Sequence, residues 1–128
     1  MGQPVVHFEI IGGNPDMLRD YYRELFGWTL NDDAPVAQAI SEQGKYSFIE
    51  TMRGPDGVGI PGGVGGGNGY APRALFYVWV LDVETALQNA ARLGGTRLVG
   101  PAANPSGKLV VGQFADREGN LIGVAGPK

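Results

Sequence analysis

At 128 residues, 43% of them hydrophobic and 18% charged, the chain suits one globular core and neither a disordered nor a membrane-embedded protein. Its formal net charge is −3 with the ten Lys and Arg scattered singly, so no basic stripe for nucleic acid exists, and the absence of cysteine excludes disulfides, thiolate metal sites and cysteine nucleophiles. No apolar run reaches the ~20 residues that span a bilayer and no secretory pattern opens the chain, so a cytoplasmic protein with no membrane partner is expected.

Pro4 to Ile11 alternates as a strand ended by Gly12-Gly13. A helix follows: Asn14 is its N-cap, Pro15 takes the first helical position, and Leu18, Tyr21, Tyr22, Leu25 and Phe26 repeat at helical spacing before Gly27 stops it. Extended segments are expected at Trp28 to Asp32, Ala37 to Ser41, Tyr46 to Arg53 and Gly59 to Gly65, divided by Asn/Asp, Gly and Pro-Asp-Gly turns. Ala74 to Leu81 then begins the same order again, with Asp82 as cap and Val83, Ala86, Leu87, Ala90 and Ala91 as one apolar helix face. Strands at Arg97 to Val99, Leu109 to Ala115 and Leu121 to Ala125 complete it. A shift of 68 residues lays DMLRDYYRELFGWTL over ETALQNAARLGGTRL, matching cap, apolar face and stop. The chain therefore divides into module one, about 1–65, a glycine-rich linker, about 65–72, and module two, about 73–128, within one domain of residues 1–128.

Strand alternation separates the faces. Val6, Phe8 and Ile10 suit the helix side of the first strand, and His7 and Glu9 fall opposite. In module two Leu75, Tyr77 and Trp79 take that opposite face, and by the same alternation it gathers Tyr46, Phe48, Glu50 and Met52, and Leu109, Val111, Gln113 and Ala115. An apolar, aromatic surface with a few convergent polar groups is what a small-molecule pocket needs. Within it Glu9 is placed to fix the tautomer of His7 in an acid/base pair, or both to hold one metal, and spacing does not separate these. The alternative is a strand start whose His and Glu are satisfied by backbone and water.

The stretches DYYRELFGW (20–28), VWVLDVETA (78–86), ARLGG (91–95) and FADREGNLI (114–122), set around the 68-residue repeat, resemble the vicinal oxygen chelate superfamily of glyoxalases, bleomycin-resistance proteins and extradiol dioxygenases. The resemblance implies an α+β fold of two tandem βαβββ modules, mixed sheets curling round a cleft with helices outside, often completed as a homodimer. It also implies metal ligands on the first and last strands of each module. By position these are His7 and, in module two, Leu75 and Gly123, while the last strand of module one, within Ile60 to Val64, offers no ligand side chain. Divalent ions want several oxygen or nitrogen donors, so no metal or other cofactor is expected, a nonstandard site at His7 being the alternative.

Three functions stay open. One is a metal-independent binder of a small, aromatic or apolar molecule, with Tyr46, Phe48, Glu50, Tyr77, Trp79 and Gln113 as ligand contacts and Trp28 beside them. The second is an enzyme, a lyase, isomerase or dioxygenase, with His7 and Glu9 catalytic or His7 holding a metal. The third is a dimerising or regulatory part of a larger system. Gly57 to Gly62 formally matches GxGxxG, but Pro61, further glycines and a following strand leave no helix N-terminus for a pyrophosphate.

Overall fold

The computed structural model describes residues 2–128, which form two compact units, one of His7–Ala74 and the other of the residues through Val6 with Leu75–Lys128.

In the first of these, β1 (Val5–Gly12, begun in the other unit) leads into α1 (Pro15–Phe26). Asn14 Oδ1 accepts from Met17 N–H at 3.2 Å, and Gly27 at φ 68° ends the helix in the left-handed conformation that glycine adopts without Cβ strain. The sheet continues through β2 (Leu30–Asn31), β3 (Ser47–Ile49) and β6 (Gly62–Gly66), in the order β2-β3-β6-β1, with β1 and β6 parallel and the other pairs antiparallel. Two-residue strands β4 (Arg53–Gly54) and β5 (Gly57–Val58) make a separate hairpin. Leu30, Ile49 and Val64 are buried against Phe8, Ile10, Leu18, Tyr22 and Trp28, each large side chain contributing about 1.5–3 kcal/mol on burial.

Four expectations from the sequence change here. Ala37 to Ser41 is a turn, closed by Ile40 N–H to Ala37 C=O at 2.9 Å; Ala37 and Ile40 are buried at a spacing of three, which the turn supplies and an extended strand does not. The expected Trp28–Asp32 strand pairs only at β2, and the Tyr46–Arg53 strand is limited to Ser47–Ile49, with Arg53 paired instead in the separate hairpin. The expected Gly59–Gly65 strand starts at Gly62, after Pro61, which has no N–H to give to a ladder.

The second unit repeats the plan with β7 (Arg73–Trp79, begun in the other unit), α2 (Val83–Arg92), β8 (Thr96–Ala103), β9 (Leu109–Ala115) and β10 (Leu121–Pro127). Asp82 caps α2 by accepting from Thr85 N–H at 3.0 Å. The strand order is β8-β9-β10-β7, again with one parallel pair, β7 and β10. β8 runs past the expected Arg97–Val99 and accommodates Pro101 because it is an edge strand, with register shifts along it. Val80, Val83, Leu87 and Val124 form the core on the helix side; Leu75, Tyr77 and Ala125 form another with Trp79, Leu109, Val111 and Leu121. Each unit is thus a β-α-β-β-β module, and the registers correspond: Glu9 lies opposite Gly63 in one as Tyr77 lies opposite Gly123 in the other. No helix among the described residues is long and apolar enough to cross a membrane.

Candidate functional site

The alternation of β1 sends Phe8 and Ile10 to the helix-side core and leaves His7 and Glu9 on the other face. Tyr46, just before β3, lies across that face. Its hydroxyl donates to Glu9 Oε2 at 2.9 Å and stands 3.0 Å from His7 Nε2. One hydroxyl has one proton, so the Tyr46 oxygen accepts from Nε2–H, and in the neutral ring the lone pair is on Nδ1. The result is a directed chain from imidazole N–H through phenol to carboxylate. Glu9 and Tyr46 are buried, and burial lowers the His7 pKa from 6.5 to about 4, so the ring is neutral near pH 7.

The glycines of β6 make this chain possible. A Cβ on Gly63 would overlap the hydroxyl end of the Tyr46 ring, and one on Gly65 would stand 2.5 Å from its Cδ1. The ring therefore occupies the space that side chains on β6 would fill. Ser41, fully buried, fastens the end of the strand: its Oγ accepts from Gly66 N–H at 3.0 Å and lies 3.2 Å from the Gly66 carbonyl oxygen.

Of the other residues expected in this unit, Phe48 stacks on His7 with centroids 6.5 Å apart and planes 15° from parallel. Glu50 is exposed and accepts from Asn31 Nδ2 at 3.0 Å, outside the His7 group. Trp28 packs in the helix-side core with Phe8 and Tyr22, away from the His7 face of β1. In the second unit Gln113 Nε2 donates to Tyr77 Oη at 2.9 Å, both residues 2% exposed, while Trp79 is half-buried beside Leu75 and Tyr77. A Cβ on Gly123 would fall within 2.7 Å of three atoms of the Tyr77 ring. Sequence pattern missed the bridging role of Tyr46 and the strand-end role of Ser41. The signal was the glycine run itself, which marks where a backbone must be approached closely.

The donors do not fit the family's metal centre. Of its four positions, His7 alone carries a donor. Leu75 is hydrocarbon, and the space in front of Gly63 and Gly123 is filled by tyrosine rings. Among the described residues no group of three or more His, Asp or Glu is placed to hold an ion.

A β-α-β-β-β module present twice, each with a helix on one sheet face and buried polar contacts on the other, defines a duplicated α+β protein. The chain belongs to the Glyoxalase/Bleomycin resistance protein/Dioxygenase superfamily, whose family model matches residues 5–124. Solved structures agree in fold. A Streptomyces coelicolor methylmalonyl-CoA epimerase variant in complex with 2-nitronate-propionyl-CoA is similar with a TM-score of 0.64 at 13% identity, covering 98% of this chain and 97% of that one. The Mycobacterium tuberculosis methylmalonyl-CoA epimerase gives 0.62 at 13% identity over 97% and 87%. A hypothetical protein from Bacillus halodurans gives 0.63 at 12% identity over 100% and 96%. No curated protein matches the sequence.

Proposed function

We propose that this superfamily member binds a small apolar or aromatic molecule on the His7 face without the family's usual metal, the His7 ring orienting the ligand and Phe48 flanking it. The observation that carries this is the chain His7–Tyr46–Glu9, in which two buried residues fix the position of the half-buried imidazole. Burial that drops the His7 pKa to about 4 weighs against His7 as an acid/base catalyst near neutrality, where proton transfer works best with a pKa close to the working pH. The same neutral ring is a stable hydrogen-bond acceptor. Within the second unit, taken by itself, Tyr77, Trp79 and Gln113 are proposed as ligand contacts, and Glu50 is left out because it is exposed and bonded to Asn31. A homodimer working in the cytoplasm is proposed as the functional form, which sedimentation and cell fractionation test.

The experiment is quenching of Trp fluorescence by a panel of aromatic metabolites and drug-like compounds, using protein stripped with EDTA. Saturable binding that is weakened at least tenfold in His7→Ala is the expected result. Absence of binding across the panel, or stoichiometric metal that is lost in His7→Ala, would overturn the proposal in favour of an accessory module or of a metal-dependent enzyme.

A further inference from the structure

A groove of about 540 Å³ runs beside α2, within the range of small-ligand sites. Its helical wall is the face that recurs every three or four residues from Asp82 to Leu93, and its floor includes Phe114 and Ile122 from β9 and β10. Large apolar side chains stand at both ends of that wall, Leu81 82% exposed and Leu93 64% exposed. None of the lining residues belongs to the His7 group.

The charges in the groove are unequally engaged. Asp82 is occupied in capping α2, and Asp116 accepts from the backbone N–H groups of Glu118 and Asn120, both at 2.9 Å, and from the Asn120 side-chain amide. Among the described residues Arg117 is the one cation that lines the groove, and its guanidinium has there neither an ion pair nor a hydrogen bond. The side chain is nonetheless located: its Cδ, Cγ and Nε lie 2.9–3.1 Å from where a Cβ on Gly94 would stand, so it rests on a backbone that only glycine leaves bare. A planar, permanently charged fork without a partner, at the rim of an apolar trough, matches a carboxylate on an apolar body. A dianion fits less well, because Asp82 and Asp116 hold negative charge in the same groove.

We propose that this groove is a binding site for a small amphipathic monoanion of the fatty-acid or aryl-carboxylate class. Arg117 takes the carboxylate, and the apolar body lies against Phe114, Ile122 and Leu93. The test is an amide NMR titration with sodium octanoate and, separately, with octanol, its neutral counterpart. Octanoate is expected to shift the amides of Ala86, Asn89, Ala90 and Ile122 saturably and to bind at least tenfold more tightly than octanol. Arg117→Gln should abolish that preference while leaving octanol binding unchanged, and Ala90→Phe, which fills the trough, should abolish both. Equal affinity for octanoate and octanol would overturn the proposal, as would shifts confined to the amides of Tyr46 and Gly63. So would α2 shifts that follow protein concentration and ignore octanoate, which would make this face a contact between copies of the chain.

Discussion

Gly63→Ala puts the packing of the His7 group to the test with a single methyl. β6 lies between β1 and β3 and is hydrogen-bonded to both, so its backbone has no direction in which to recede. The new Cβ would overlap the Tyr46 hydroxyl and come within 2.6 Å of Cε2, against an ordinary carbon contact of 3.4 Å or more. The ring has to move, but it is 5% exposed and also rests over Gly65, so sliding along the strand meets backbone again. A displacement of about 1 Å breaks the hydrogen bond to the Glu9 carboxyl and the one from His7. Those bonds are worth about 1.5–3 and about 1 kcal/mol respectively, which makes about 3–4 kcal/mol before any residual overpacking is counted. For a domain of this size that is a fall in Tm of roughly 10–15 °C. An unhindered Gly→Ala change in a strand interior would instead stabilise by ~0.5–1 kcal/mol. Calorimetry and urea denaturation measure the loss, and the background Tyr46→Leu removes the obstructing end of the ring. There the same methyl should cost less than about 1 kcal/mol, because nothing remains for it to strike. A loss below about 0.5 kcal/mol in the wild-type background, or an equal loss in both, would refute the packing described.

The His7 pKa sets a pH dependence: it is about 4 in the folded chain and 6.5 unfolded, so the unfolded chain binds the proton first and the contribution is complete above pH 6.5 and lost as pH falls towards 4. It amounts to about 3 kcal/mol; the stability difference between wild type and His7→Gln, from urea denaturation at neutral and acid pH, should shrink accordingly, and an unchanged difference would disprove it. After incubation with Mn²⁺, Ni²⁺ or Zn²⁺ and gel filtration, elemental analysis should find well under about one tenth of an equivalent of metal, since one imidazole supplies too few donors. Ser41→Ala should cost about 1–3 kcal/mol by leaving the buried Gly66 N–H without its acceptor, read by denaturation and by faster exchange of that amide.

The helices and long strands were legible because several local signals agreed at each. Asn14-Pro15 and Asp82 cap helices where capping chemistry says they should, and the alternation of β1, β7 and β9 assigned their faces correctly. Legibility failed between Trp28 and Gly62. There the paired segments are two or three residues long, too short for a period to declare itself, and the short apolar segment at 37–41, read as extended, is a turn. At the site, alternation placed His7, Glu9 and Tyr46 on one face. It could not show that one phenol would join the other two residues, because that depends on a ring lying across neighbouring strands. Glu50 shows the converse failure: parity put it with Phe48, but β3 ends at Ile49 and beyond that point alternation no longer controls direction.

The glycines carry the deeper lesson about the duplication. Gly63 and Gly123 occupy equivalent registers, and each faces a tyrosine ring, yet the rings come from different strands. Phe48 lies opposite Gly63 as Gln113 lies opposite Gly123, so by register the counterpart of Tyr46 is Val111 and the counterpart of Tyr77 is Glu9. In one unit the first strand gives the acceptor, Glu9, and the third-strand side gives the phenol. In the other, the first strand gives the phenol and the third gives the amide that donates to it. The two arrangements therefore share a backbone and not a side-chain plan, and similarity between the modules does not account for both. A side chain long enough to ligate a metal would, at either glycine, require removal of a buried tyrosine and would strip the polar partner of its bond. Each step alone is destabilising, which holds the family's metal geometry several coupled substitutions away from this sequence.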